Sequence, residues 1–279
     1  ARGGETLPVM LLDPISIDAW ATENAACFAP PIMNKLMYKK QLTIMFVGGP
    51  NTRTDFHLEG GSELFLMLKG DMQLPTIQLG KKKVVDIKQG QLFVLPPRIP
   101  HSPQRPQEGS LGLVIERERR DSEMDGLRWY TDFATCQEIL WERFFRCDDL
   151  GRDLVPVVQA YKASEECRTG KPSAESVCTS YPLQQDTETS VPDPVDLKEL
   201  LKQHEGLLAS GQEVNLLSLM KHPDPEFLVL AAGGANGGTQ EVKGSNYCET
   251  WIYQVSGEAT VAPHGGGGAG SVLGEGSCC

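Results

Sequence analysis

Two of the chain's five histidines, His57 and His101, fall in the same strand-rich half as Glu63. Two imidazoles and one carboxylate form a ligand set that leaves positions open on a ferrous ion for a substrate and for dioxygen. Ligand atoms lie about 2.0–2.2 Å from a metal, hence about 3 Å from each other, whereas six residues of straight strand cover roughly 20 Å. His57 and Glu63 can therefore share an ion only if the chain reverses between them. Glu59–Gly60–Gly61–Ser62 has turn chemistry, so a tight hairpin is expected there, with His101 arriving from a later strand. Taken singly, each residue is ordinary: such histidines are usually satisfied core or surface groups, and a glutamate after two glycines is usually solvated.

The elements that must position these residues are short apolar runs between Gln41 and Arg119 (QLTIMFV, ELFLML, KKKVVDI, QLFVL, LGLVIE), separated by Gly- and Pro-containing turns. Such spacing predicts a mainly β sandwich or barrel. Over Asp132–Leu150, the residues Cys136, Ile139, Leu140, Phe144 and Cys147 recur at three- and four-residue spacing, which predicts a helical connector. Thr169–Asp193 is rich in Ser, Thr, Pro and Gln and has no period, as an inter-domain linker would. Pro194–Leu208 is helix-like, and strands are expected again at EFLVLAA and ETWIYQVSGEATV. Aligning Gly257 with Gly70 sets WIYQVSGEA beside LFLMLKGDM, a weak internal echo. Gly244 and Thr250 stand where His57 and Glu63 would be, so the echo lacks ligands. The tail GGGGAGSVLGEGSCC reads as too low in complexity to supply the remaining strands of a barrel. The expected layout is a catalytic barrel with its connector over 1–165, a linker over 166–195, and a degenerate, truncated second barrel over 196–279.

Charge narrows the partners. With 26 Lys and Arg against 37 Asp and Glu, a net charge of −11 leaves no basic face for nucleic acid. No run reaches the 18 or so apolar residues of a membrane span, and Ala1–Met10 lacks the apolar core of a signal peptide, so a cytoplasmic location is expected. The eight cysteines contain no C-x-x-C pair, which excludes a zinc ribbon and favours reduced thiols. Trp129, Tyr130, Trp141, Phe144 and Phe145 read as inter-domain core. His222 and His264 read as exposed loop residues, His204 falls outside the motifs, and Cys147 and Cys178 receive no role.

The spacing also resembles the cupin superfamily. His57, Glu63 and Gly70 match its first motif, and Gly90, Pro96 and His101 its second. Asp55 replaces the first histidine, Arg98 a glycine, and Arg105 an asparagine. The strings MFVGGPNTRTDFH, LPPRIPHSPQR, GLVIERER, DGLRWY and RTGKP closely resemble the 3-hydroxyanthranilate 3,4-dioxygenase family. That resemblance implies a bicupin, two jelly-roll (double-stranded β-helix) barrels with the second degenerate, joined by a helical connector. It implies ring opening of 3-hydroxyanthranilate by O2 to 2-amino-3-carboxymuconate semialdehyde, in the kynurenine route to quinolinate and NAD. It places Fe(II) on His57, Glu63 and His101, and the substrate on Arg53, Arg105 and Glu116, with Arg53 and Glu116 taking part in catalysis. A guanidinium suits a buried substrate carboxylate because it pairs bidentately, and Arg105 shares strand parity with His101. Arg98 is left as structural. Bacterial members carry an additional rubredoxin-like iron site, absent here. A fused second barrel takes the place of a dimer partner, so a monomer is expected. Another cupin dioxygenase is disfavoured by Arg53, Arg105 and Glu116 together. A non-catalytic binding module is disfavoured by the intact set His57, Glu63 and His101.

Overall fold

The computed structural model describes residues 13–30, 33–222, 228–234, 238–241, 248–263 and 270–279. It divides into a larger unit, Phe28–Leu197 with Asn215–Leu230, and a smaller one, Ala1–Cys27 with Lys198–Val214 and Ala231–Cys279. In chain order, β1 (Ile15–Ser16) and α1 (Ile17–Glu23) precede β2 (Asn34–Lys39), β3 (Leu42–Gly48), β4 (Phe56–Leu58), β5 (Glu63–Lys69), β6 (Met72–Gln78) and β7 (Lys81–Ile87). There follow β8 (Gln91–Leu95), β9 (Leu111–Arg117), β10 (Asp125–Tyr130), β11 (Ile139–Phe145), α2 (Leu150–Lys162), α3 (Glu165–Thr169) and β12 (Val195–Asp196). The remainder holds α4 (Leu197–Gln203), α5 (Glu205–Ala209), β13 (Val214–Asn215), α6 (Leu216–Leu219), β14 (Leu230–Ala231), β15 (Glu258–Val261), β16 (Ser271–Gly274) and β17 (Ser277–Cys278).

The mainly β class is as expected. One sheet runs β12-β8-β5-β9-β3-β2, and a second runs β11-β10-β4. The extended segment His101–Arg105 carries the second sheet onward: His101 bridges both His57 and Thr76, and Gln104 bridges Gln73 of the β6–β7 hairpin. Alternate residues point into one core, with Phe65 and Met67, Phe93 and Leu95, Met72 and Leu74, and Val85 and Ile87 packed together. Each such fully buried side chain contributes roughly 1.5–3 kcal/mol, which fixes strand register and hence the aim of the polar residues between them. Gly70, the motif glycine after β5, has φ +69°, and a Cβ there would lie 2.9 Å from Ser110 Cβ, so both backbone and space require glycine.

Several expectations are corrected. Glu59–Ser62 does not close a hairpin: β4 pairs with β10 while β5 pairs with β8 and β9, so the chain crosses from one sheet to the other. The helix expected over Asp132–Leu150 is in part β11, and the helix begins only at Leu150, capped by Asp149 accepting from the Arg152 N–H. Pairing with β10 sets Trp141 against Trp129, with ring centroids 5.5 Å apart, and Trp129 stacks on Tyr161 of α2 at 3.9 Å. Burying those indoles outweighs a three- and four-residue apolar spacing. Trp129 and Trp141 are thus core within the larger unit, where the sequence reading set them between domains.

The segment read as a linker is hydrogen-bonded to that same unit. Val191 N–H donates to Gln78 Oε1 at 3.0 Å, Asp186 N–H to Arg98 O at 2.9 Å, and Val195 pairs with Leu92. Arg98 has φ +62°, the conformation for which the generic motif carries glycine. Pro194–Leu208 holds two short helices interrupted at His204. In the smaller unit, a strand begins at Glu258 rather than Glu249, and Tyr253 makes a lone bridge to Cys278. The tail carries two short strands, each in a two-stranded pair: β16 with β15, and β17 with β1. His222 is half-buried rather than exposed. Gly244 and His264 lie outside the described residues.

Candidate active site

His57 and His101 form a hydrogen-bonded antiparallel pair, each N–H donating to the other's carbonyl at 2.8 and 2.9 Å, with ring centroids 5.5 Å apart. Glu63 opens β5 between Leu95 and Glu116 on its two neighbours. The three meet at a cavity of about 120 Å³ that is also lined by Arg53, Arg105 and Glu116. An engineered cavity of about 150 Å³ holds benzene, so this one has the scale of a single ring. His101, Pro103 and Arg105 all face the cavity, as strand alternation requires.

The donor atoms suit a metal. His101 Nδ1–H donates to Ile99 O at 3.0 Å, which turns Nε2 toward Glu63 Oε2 at 2.8 Å. No well-aligned hydrogen bond reaches that oxygen. A proton between the two atoms or a cation beside both satisfies this pair, and the distance is that of two ligands on one ion. His57 Nε2–H donates to Asp125 Oδ2 at 2.7 Å, leaving its other ring nitrogen available. Burial pushes the Glu63 carboxyl up, but His101, His57 and Arg105 outweigh it and hold Glu63 below the usual range.

A second convergent set is acidic: oxygens of Glu59, Glu63 and Glu116 lie within 4.8 Å of one another. Arg119, however, is paired with both Glu59 and Glu116, and also with Asp125 at 2.9 Å. Two of the three carboxylates are thereby engaged, and only Glu63 faces the imidazoles. Burial drives Glu59 well above the ordinary carboxylate range, and Glu116 less so, against the pull of Arg119. Burial acts upward on Asp125 too, but His57 and Arg119 bring it down to about 2.

The two arginines differ. Arg53 is a quarter exposed and paired with Asp55, and its backbone is clamped by Gln104, which accepts from Arg53 N–H at 3.1 Å and donates to Arg53 O at 2.7 Å. Arg105 is 3% exposed, and among the described residues no carboxylate lies within ion-pair distance of it. Its Nε has no acceptor. Burial lowers Arg105 to about 10, Arg53 adding to the effect and Glu63 opposing it. A buried cation without a counter-ion is costly unless an anion arrives. All six residues the sequence reading singled out line this one cavity, but only Glu63 and His101 stand at ligand distance from each other, and the donor atoms of His57, Glu63 and His101 do not all fall within 4.8 Å of one another; Asp125, Arg119 and Glu59, to which that reading gave no site role, pack beside them.

The model of the 3-hydroxyanthranilic acid dioxygenase family matches residues 10–162. The 3-hydroxyanthranilate 3,4-dioxygenase of Nematostella vectensis is 47% identical over 243 residues, spanning 87% of this chain and 83% of the relative. Those of Rattus norvegicus and Homo sapiens are 40% and 38% identical over 251 residues, each spanning 90% of this chain and 84% of the relative. With the family's pattern matched across more than half of its length and relatives alike over most of theirs, the chain belongs to the 3-hydroxyanthranilic acid dioxygenase family.

Proposed function

We propose that this chain opens the aromatic ring of 3-hydroxyanthranilate with O2, giving 2-amino-3-carboxymuconate semialdehyde, with Fe(II) held by His57, Glu63 and His101. Family membership supports the reaction, and the donor atoms described above support the ligand set. Bound there, a ferrous ion supplies dioxygen activation on a chelated aminophenol. The residues of the chain do the rest. Arg105 pairs with the substrate carboxylate, and Arg53 stands beside it. Glu116, whose pKa burial raises so that its ionised form is a stronger base than an ordinary glutamate, accepts from the substrate hydroxyl or amino group and takes up the proton released there. Phe65 and Val114 bound the cavity with apolar surface and keep water from the ring.

The observation that carries this reading is Arg105, a buried, unpaired guanidinium on the same cavity as the two imidazoles. The test is to load the protein anaerobically with Fe(II), add 3-hydroxyanthranilate, admit air and follow the semialdehyde absorbance. No absorbance from iron-loaded protein would refute the assignment. We propose further that the chain acts in the cytoplasm as a monomer, its segment 196–279 being a degenerate second cupin. No described helix is long and apolar enough to cross a membrane. Sedimentation as a stable dimer would contradict the monomer.

A further inference from the structure

Arg119 lies in the connection between β9 and β10, where the sequence shows only the charge run ERERRD. Its side chain is 9% exposed and its fork reaches three buried carboxylates. Nη1 donates to Glu116 Oε2, Nη2 to Glu59 Oε2 and to Asp125 Oδ2 at 2.9 Å, and Nε to Asp125 Oδ1 at 3.3 Å. Asp125 in turn accepts from His57 Nε2 at 2.7 Å. One guanidinium therefore ties the end of β9, the start of β10 and the β4–β5 crossing; of its partners Glu116 lines the cavity itself, and Asp125 reaches it through the His57 ring.

We infer that Arg119 is a positioning residue for both sides of the site, holding Glu116 toward the substrate and, through Asp125, holding the His57 ring toward the metal. The inference rests on the ligand and substrate reading above. Its physical basis is the geometry of the fork. Five N–H donors in a plane can serve three carboxylates at once, whereas an ammonium is a single point with three donors and cannot span them. A carboxylate behind a ligating histidine sets the ring's orientation and basicity, and losing it typically costs about 10–100-fold in metal affinity. A displacement of about 1 Å in a positioned catalytic group can cost on the order of 100-fold in rate. Arg119 would act on both quantities, although it touches neither metal nor substrate.

The test uses Arg119→Lys, which keeps the charge and loses the fork. Metal affinity is read by chelator competition with Fe(II) or Co(II), and kcat and KM are read with 3-hydroxyanthranilate on fully loaded protein. The expected result is about 10–100-fold weaker metal binding together with at least a tenfold fall in kcat at a KM within about threefold of wild type. Unchanged affinity and unchanged kcat would overturn the inference, as would a lower melting temperature with both constants intact, since that marks a purely structural ion pair. Should Arg119→Lys not fold, Asp125→Asn tests the metal branch: affinity should fall about 10–100-fold, and wild-type affinity would overturn it. Glu63→Ala separates this from the underlying reading. If that variant binds metal as tightly as wild type, the ligand assignment has failed. If it loses the metal while Arg119→Lys and Asp125→Asn bind as wild type, only the role of Arg119 has.

Discussion

At the scale of single residues, the site separates cations that are already satisfied from one that is not. Arg119 has three carboxylates and Arg53 has Asp55, but Arg105 has no carboxylate partner among the described residues, so the free energy of burying it is recovered when an anionic substrate binds. Arg105→Ala should therefore cost about 3–5 kcal/mol in the productive complex, a fall in kcat/KM of roughly two to three and a half decades. Arg105→Lys should restore only part, because the ammonium keeps the charge and loses the bidentate fork. Steady-state kinetics on 3-hydroxyanthranilate and 2-aminophenol decides the matter: the second compound lacks the carboxylate, and equal losses on both would mean that Arg105 does not read it. Glu63→Ala should abolish activity and release the metal, whereas Arg105→Ala should leave metal content unchanged. The ligands and Arg105 were legible in the sequence because each sits at a motif spacing. Arg119 and Asp125 received no role, although both fall in strings that carry the resemblance, because what they do follows only from the contacts made once β9 and β10 fold against the β4–β5 crossing.

At the scale of elements, the segment from the end of β3 to Arg105 is set by backbone contacts that leave no room for a side chain. Gly49 N–H donates to Ser110 O, and Asn51 and Arg105 exchange both backbone hydrogen bonds at 2.7 Å. A Cβ at Gly49 would lie 2.4 Å from Gln107 O and from Ser110 Oγ, and 2.7 Å from Arg105 O. Two of those neighbours are main-chain atoms, so the strand carrying Arg105 must move. Gly49→Ala should cost about 1–3 kcal/mol of stability, or roughly 2–12 °C in Tm, and should raise KM for 3-hydroxyanthranilate while sparing metal affinity. An unchanged melting temperature and KM would show that the strand absorbs the clash. This constraint is invisible in the string GGPN, which announces a turn and nothing more. The opposite failure occurs at β11, where a clear helical spacing was overridden by the pairing of Trp141 with Trp129. Local period is a weak guide wherever large aromatic area can be buried across strands.

At the scale of the whole molecule, the short apolar runs and their turns foresaw β structure, but nothing in the composition could show that residues 169–193 return to the larger unit, since a polar segment is placed by individual hydrogen bonds such as Val191 to Gln78 and Asp186 to Arg98. The same molecule-wide balance bears on how stability responds to pH. Burial raises Glu59 well above its unfolded value and raises Glu116, while Arg119 pulls both down, and Glu63 and, for Glu59, Asp125 add repulsion. A carboxyl whose folded pKa is raised stabilises the fold below its unfolded pKa, and that contribution is lost as pH rises through the folded value. The sign therefore opposes that of Asp125, whose folded value of about 2 gives stability that is present above about 4 and is lost on acidification toward 2. The net charge of −11 adds self-repulsion in the same direction as Glu59. Metal-free protein should accordingly become less stable as pH is raised from about 5.5 to 8.5, with a slope of at most about 1.4 kcal/mol per pH unit for each proton released. Glu59→Gln keeps the shape and removes the ionisation, so it should flatten that slope and raise Tm at the alkaline end. Thermal unfolding of the two proteins across this range provides the check. If wild-type stability is flat or rising with pH, or if Glu59→Gln follows the wild-type slope, Glu59 is not the group that resists ionisation, and the charge on Arg119 is shared differently among its three carboxylates.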